Sequence, residues 1–361
     1  MKNLTLIIKS LPQNISIKDS IYLAGDFNNW NPKSEDFKFK INEHGEAQLQ
    51  LQLASSSMAF KLTKGSWENV EVDGKGNDIN NRYLELNHDT TLFISVAAFK
   101  DAFIKSTKKS TKSKNVNIVD SAFYIPELQT KRRIWIYLPA DYTTSYRKYP
   151  VIYMHDGQNL FDNLTSGYGE WGVDEILDSL TQKNQQEFIV VGIDHGGESR
   201  LVEYNPYESK FGKGKGDAYV DFIVKTLKPF IDSHYQTLKD KRNTIIAGSS
   251  MGGLISMYAG IKYPNVFGCV GVFSPSFWIA PQLYNFVKSE KVNGSSKFYL
   301  IAGAKESDEM IPDLEKMYRL LLDKGWNPRN LEIHINPNGK HNERFWHQEF
   351  PDFINWLSSS R

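Results

Sequence analysis

The chain has a single cysteine, Cys269, so no disulfide can form within it. That residue lies in Val266-Phe267-Gly268-Cys269-Val270, beside a strand candidate, and reads as a buried position and not as a nucleophile. An excess of charge of either sign is also lacking: 43 Lys and Arg against 42 Asp and Glu leave a net charge of +1, which gives no pull toward nucleic acid. No window is apolar enough to cross a bilayer, so no membrane partner is expected. The apolar part of the first residues, Leu4 to Ile8, is too short for a signal peptide, which makes a cytoplasmic location the expectation. There is no H-E-x-x-H and no paired spacing among the later histidines, so the expected metal complement is none, and no cofactor is expected.

What is present divides into two patterns. With 361 residues, of which 40% are hydrophobic and 24% charged, two ordinary globular domains are the starting expectation. Residues 1–103 hold short alternating or apolar runs separated by polar turns: Ile21 to Ala24, Gln48 to Leu53, Ala59 to Leu62 and Thr91 to Val96. Regular short strands of this kind predict a small all-β sandwich. Residues 104–115, including Lys105 to Lys114, are dense in lysine, serine and threonine and predict a solvated linker. From 116 to 361 near-continuous apolar runs alternate with helical stretches. The runs are Ile134 to Leu138, Val151 to Met154, Phe188 to Ile193, Thr244 to Ala247, Val270 to Phe273, Phe298 to Ala302 and Leu331 to Ile335. The helices are Trp171 to Leu180, Ala218 to His234, Met251 to Lys262 and Met310 to Leu322, with a kink expected at Pro229. This is the pattern of an α/β domain with a mostly parallel sheet covered on both faces.

Gly248-Ser249-Ser250-Met251-Gly252-Gly253 stands between one of those strands and one of those helices. Strand, G-x-S-x-G, helix is the setting of an α/β-hydrolase nucleophile elbow, and only Ser250 has a glycine two residues away on both sides. A serine hydroxyl needs a base, an orienting acid and an oxyanion hole. The chain order in this fold is serine, acid, histidine. His341, in a polar loop after the last strand, is the expected base, ahead of His334 and His347. Glu306 is the first candidate acid and Asp308 the second, both after the strand ending at Ala302. The backbone N–H groups of Met251 and Gln158 are the expected oxyanion donors, Gly157 allowing the turn before Gln158. Trp171, Trp278 and Phe161 read either as walls of an aromatic acyl pocket or as packing. Arg200, with Glu203 and Tyr204, reads either as a salt-bridged loop anchor or as a substrate contact.

Two resemblances are carried by specific residues. Leu23-Ala24-Gly25-Asp26-Phe27-Asn28-Asn29-Trp30, with Phe60-Lys61-Leu62 and Gly65-Ser66-Trp67, resembles the glycogen-binding type of carbohydrate module. It implies a glucan platform of Trp30, Lys61 and Trp67, with Asn80 or Asn81 beside it. The segment Glu68 to Val72 departs from that module's acidic-proline turn. The region from about Asn115 onward resembles the putative-esterase family of α/β hydrolases, which includes feruloyl, acetyl-xylan and siderophore-triester esterases. The marks are His155-Asp156-Gly157-Gln158-Asn159-Leu160-Phe161, Gly197 to Tyr204, the elbow, Phe273-Ser274-Pro275-Ser276-Phe277-Trp278, and Gly339-Lys340-His341-Asn342-Glu343 with Trp346. The family's Gly-x-x-acid loop matches Gly303-Ala304-Lys305-Glu306 and favours Glu306 over Asp308. The resemblance implies a serine carboxylic-ester hydrolase acting on a small-molecule or oligosaccharide ester. The leading expectation is an acylated carbohydrate, as a feruloyl or acetyl ester. The alternatives are a siderophore triester and, in another class, a carbohydrate-binding scaffold with an inert hydrolase domain.

Overall fold

The computed structural model of the chain describes residues 2–12, 15, 20–41, 46–103, 109–181, 187–291 and 296–359. They form two compact units, Met1–Lys108 and Lys109–Arg361.

In the first unit Lys2–Ser10 lies between Ala47–Leu53 and Thr90–Ser95, antiparallel to the former and parallel to the latter, with Lys40–Ile41 at one edge. A second sheet runs Tyr22–Gly25, Ser57–Thr63, Arg82–Glu85. The period-two alternation of the first strand puts Leu4, Leu6 and Ile8 into a core with Leu23, Leu49, Phe60, Leu62 and Ile94. Glu71 is buried but satisfied, with Arg82 on its carboxylate at 2.7 Å and the Leu62 N–H at 2.9 Å.

The second unit is built on an eight-stranded sheet. In spatial order its strands are Val116–Ile125, Thr130–Tyr137, Ile189–Ile193, Val151–His155, Thr244–Ser249, Cys269–Phe273, Lys297–Gly303 and Leu331–Asn336. The first three pair antiparallel and the rest parallel. This is the mixed, mostly parallel α/β sheet expected from the apolar runs. Helices cover both faces, so successive residues of one strand enter different cores. Val151 and Tyr153 join the cluster containing Leu254 and Leu314, while Ile152 and Met154 join the one containing Leu177 and Phe353. After Ile189–Ile193 the chain crosses to the other side of Val151–His155. The carboxyl ends of Val151–His155 and Thr244–Ser249 therefore flank the point where strand order reverses, the place where open α/β sheets bind their ligands.

Two features differ from the sequence reading, and the break near Pro229 follows the kink or restart expected there. Val116–Ile125 is a strand, hairpinned onto Thr130–Tyr137. The helix expected across Pro229 is three pieces, Gly216–Phe222, a π-helical turn Ile223–Leu227, and Lys228–His234. The wider turn accommodates a proline that cannot donate to the helix ladder. Finally, of the linker expected over 104–115, residues 104–108 lie outside the described residues, and the remainder is anchored to the second unit. Ser110 donates to Asp162 at 2.9 Å, the Ser113 N–H to Asp174 at 2.7 Å, and Asn115 to Asp178 at 2.7 Å. Serine, threonine and asparagine here serve as hydrogen-bond partners for carboxylates, a role that composition alone does not separate from solvation.

Candidate active site

Ser250 stands between the strand Thr244–Ser249 and the helix Met251–Lys262 with φ 57° and ψ −120°. A non-glycine residue at positive φ is strained, and strain of this kind clusters at functional positions. The turn is closed by the Ser250 N–H on the Phe273 carbonyl at 2.9 Å and the Leu254 N–H on the Ser250 carbonyl at 3.0 Å. Glycine is needed beside it because a Cβ on Gly248 would sit 2.8 Å from the His155 ring.

The turn after Val151–His155 faces the elbow. Asp156 is left-handed (φ 59°) and leads into the short helical turn Gly157–Asn159. A Cβ on Gly157 would meet the Gly192 and Ile193 backbone at 2.8 Å, so this turn lies directly on the neighbouring strand. The N–H groups of Gln158 and Met251 both belong to first turns of helices, where intrahelical acceptors are absent. Arg200 grips Asp156 with Nε and Nη2 on its two carboxylate oxygens, at 2.8 and 2.6 Å. Burial raises the Asp156 carboxyl, but Arg200 outweighs it and holds the group below its ordinary value. Arg200 is thus a loop anchor: its charge is spent inside the protein.

His341 follows the last strand and directs Nδ1 to Glu306 Oε2 at 2.7 Å. The Glu306 side chain is 1% exposed, and its other oxygen accepts from Ser274 Oγ at 2.7 Å and from the Gly303 N–H at 2.6 Å. Trp346 Nε1 donates to Ser274 Oγ at 2.9 Å, and its ring meets His341 edge-on at 5.2 Å. Asp308, the second candidate acid, is exposed. His334 lies 3.6 Å from Glu349, and His347 is bonded to the Trp171 carbonyl at 2.6 Å. The acid loop and the base loop touch at their backbones, where a Cβ on Gly303 would lie 2.2 Å from the Gly339 carbonyl carbon. Ser250 Oγ lies 3.1 Å from Ser276 Oγ, and among the described residues no hydrogen bond joins it to His341.

Two expected pocket walls are core residues instead. Phe161, 1% exposed, packs on Trp135, and Trp171, 3% exposed, packs on Phe273, Trp346 and Phe350. Their motif positions are adjacent to the site in sequence, but their side chains turn beneath the sheet's carboxyl edge. Trp278 alone of the three is open, at 45% exposure. Sequence reasoning missed the supporting roles of Ser274, Ser276 and Trp346. The only signal was their place in motifs that also hold Phe273 and His341.

One buried carboxyl has a consequence for stability. Glu343, two residues past His341, accepts from Asn159 Nδ2 at 3.3 Å. Burial is the main cause that pushes its carboxyl from 4.5 up to about 7. The folded chain then holds a proton that the unfolded chain releases above pH 4.5. This contribution to stability is complete below the unfolded value and is lost as pH rises through about 7. Glu343→Gln keeps the carbonyl acceptor and cannot ionise. It is expected to stabilise the protein by up to about 3 kcal/mol at alkaline pH and by little at acid pH. Thermal denaturation of both proteins across that range checks this; parallel Tm profiles would refute it.

Comparison with known proteins agrees with this geometry. Residues 125–297 match the family described as Putative esterase. Among relatives, the uncharacterized protein YbbA of Bacillus subtilis (strain 168) is 28% identical over 242 residues, covering 63% of this chain and 92% of YbbA. The iron(III) enterobactin esterase of Escherichia coli (strain K12) is 30% identical over 152 residues, 42% of this chain and 34% of that protein. The endo-1,4-beta-xylanase/feruloyl esterase of Xylanibacter ruminicola is 25% identical over 171 residues, 46% of this chain and 23% of that one. The enterobactin esterase structure from Shigella flexneri superposes with a TM-score of 0.56 at 15% identity, covering 99% of this chain and 92% of that one. The second unit therefore shares the fold of that structure, and most of it matches the esterase family model by sequence. Among the described residues no helix is long and apolar enough to cross a membrane, and no group of three or more His, Cys, Asp or Glu could hold a metal.

Proposed function

We propose that the esterase unit is a serine carboxylic-ester hydrolase that works through an acyl-enzyme. The observation that carries this reading is the buried Glu306 on His341 Nδ1 at 2.7 Å, beside a serine held at φ 57° in a strand-to-helix turn. With Nδ1 committed to the acid, Nε2 is the nitrogen free to act as base. Ser250 Oγ attacks the ester carbonyl carbon, its proton passes to Nε2, and the carbonyl π pair moves onto oxygen. The N–H groups of Met251 and Gln158 receive that charge. Collapse expels the alcohol, which takes the proton from His341. Water then attacks the acyl-enzyme by the same route and releases the acid.

The substrate proposed is an acylated carbohydrate. Two observations support it. Trp278 offers an exposed aromatic face two residues from Ser276, which touches the nucleophile. In the first unit Trp30 and Trp67 pair at 6.2 Å, and Trp30 holds a left-handed backbone (φ 58°) to do so. Flat aromatic faces suit the C–H surfaces of pyranose rings. The Lys61 ammonium, the third member of the glucan platform, is directed to the Ile79 carbonyl at 2.6 Å. A burst of p-nitrophenol from p-nitrophenyl acetate, followed by assays on methyl ferulate, acetylated xylo-oligosaccharide and ferric enterobactin, tests the reading. The expected preference is for the first two. A preference for the ferric ligand would move the proposal to a siderophore triester, the reading favoured by the two-unit match to enterobactin esterase. Absence of turnover on every ester would leave only the scaffold reading. For the first unit, affinity electrophoresis in glycogen gels should show retardation that Trp67→Ala abolishes; unchanged mobility of the unsubstituted protein removes the glucan platform.

A further inference from the structure

The strand Cys269–Phe273 ends in Ser274-Pro275-Ser276, and its two hydroxyls reach opposite ends of the Ser250, His341, Glu306 set. Ser274 donates to Glu306, while Ser276 Oγ lies 3.1 Å from Ser250 Oγ. Neither position is loose. Ser274 is left-handed (φ 44°) and its N–H is bonded to the Ile301 carbonyl at 2.7 Å. The Ser276 N–H is bonded to the Ser250 carbonyl at 3.1 Å, and Ser276 is 2% exposed. A serine hydroxyl carries one hydrogen and two acceptor sites. Buried as it is, the Ser276 hydroxyl must spend its hydrogen on a partner, and the nucleophile's oxygen is the side-chain partner in reach.

We propose that Ser276 is a catalytic residue. It donates its hydrogen to Ser250 Oγ while that atom passes its own proton to His341, and so stabilises the alkoxide that attacks the ester. The inference rests on the esterase reading. The Ser276 proton stays on Ser276 throughout: the bond that breaks is Ser250 O–H, the bond that forms first is Nε2–H on His341, and then Oγ–C. A donor to an oxyanion is stronger than a donor to a neutral hydroxyl. Once Oγ is esterified it is a poorer acceptor, so the contact is strongest while negative charge is on the attacking oxygen. That selectivity is what accelerates a step instead of merely tightening binding. Ser274 acts through Glu306 and is a positioning residue by the same geometry.

The test separates this role from packing. A fluorophosphonate labels the same alkoxide without the substrate's leaving alcohol, so its rate reads nucleophile activation directly. Ser276→Ala is expected to slow both labelling and acylation by p-nitrophenyl acetate about 10- to 100-fold. The substrate dissociation constant from pre-steady-state acylation should be unchanged, and the rise of the labelling rate with pH should move to higher pH. Ser276→Thr, which keeps the hydroxyl, should recover most of the rate. If the added methyl of threonine lowers Tm, Ser276→Cys, near in size but a weak donor, should fall between wild type and alanine. Labelling of Ser276→Ala at the wild-type rate overturns the proposal, and so do equal losses in the alanine and threonine variants at unchanged Tm. Labelling that persists in Ser250→Ala would instead defeat the esterase reading itself.

Discussion

Ser250→Ala is expected to lower kcat for ester hydrolysis by about 10⁵- to 10⁶-fold while leaving the fold in place. The substitution removes one oxygen. The strained backbone at φ 57° remains, because it is set by the strand, the helix and the bond from the Ser250 N–H to the Phe273 carbonyl, none of which uses the side chain. The main structural loss is the partner of the Ser276 hydroxyl. Stability should therefore fall by no more than the cost of leaving that buried hydroxyl unpaired, about 1 to 3 kcal/mol. His341→Ala should cost about as much in rate as Ser250→Ala, and the double substitution little more, because nucleophile and base act as one unit and their effects do not add. Glu306→Gln tests the third member. It retains a carbonyl for His341 Nδ1 but withdraws the charge that stabilises the imidazolium, so a loss of up to about 10⁴-fold is expected. Burst kinetics with p-nitrophenyl acetate reads all four variants. An alanine variant at position 250 within a hundredfold of wild type would show that hydrolysis uses another nucleophile.

Gly303→Ala carries the second large effect, and it involves no catalytic group. A methyl at 303 would stand 2.2 and 2.3 Å from the carbonyl carbon and oxygen of Gly339. The clash is with backbone on both sides, and neither side is free to retreat. The Ala304 N–H is bonded to the Asn336 carbonyl at 2.8 Å, and the Lys305 N–H to the Gly339 carbonyl at 3.0 Å. Gly303 itself is in register with Asn336 across the parallel pair. The methyl must separate the loop of Glu306 from the loop of His341 or break the sheet's last rung. Overpacking of this kind is expected to cost about 3 kcal/mol, or a fall in Tm of about 6 to 12 °C for a unit of this size. A displacement of about 1 Å between acid and base should add a fall in kcat of about a hundredfold. Calorimetry and steady-state kinetics on one preparation check both. A variant with unchanged Tm and unchanged kcat would mean that the two loops are not rigidly joined.

These effects explain which parts of the molecule were legible in the sequence. Six of the seven strands expected in the second unit were readable because burial on both faces forbids polar residues along their apolar runs, whereas the edge strand Leu331–Asn336 was readable by alternation, with exposed Glu332 and His334 between apolar residues. Val116–Ile125 was not: as an edge strand with exposed Asn117, Ile118 and Tyr124 it has no such run. Ser250, His341 and Glu306 stand out as a candidate set because each follows a strand in the order that the elbow demands, and the structure brings His341 and Glu306 together. Ser274 and Ser276 were out of reach. Their identity is ordinary, and their importance comes from where Pro275 and a left-handed turn point two short side chains. Phe161 and Trp171 failed as pocket walls for the opposite reason. Aromatic residues beside a catalytic motif look alike whether they face a ligand or a core, and only the direction of Cα–Cβ decides.

The anchored segment before Val116–Ile125 sets where the second unit can be cut free. Thr111 donates to Glu170 at 2.7 Å and accepts from the Asn163 N–H at 2.9 Å, and its neighbour Ser110 bonds Asp162. Asp162 opens the turn in which Thr165 holds the Gln158 carbonyl at 2.8 Å. Excision at Val116 would leave the Asp162, Asp174 and Asp178 carboxylates without these donors, directly behind the peptide that offers the Gln158 N–H. Excision at Lys109 would keep them. The seam along which the second unit could be moved to a different amino-terminal neighbour with these contacts intact is therefore at Lys109, ahead of Ser110, and not at Val116.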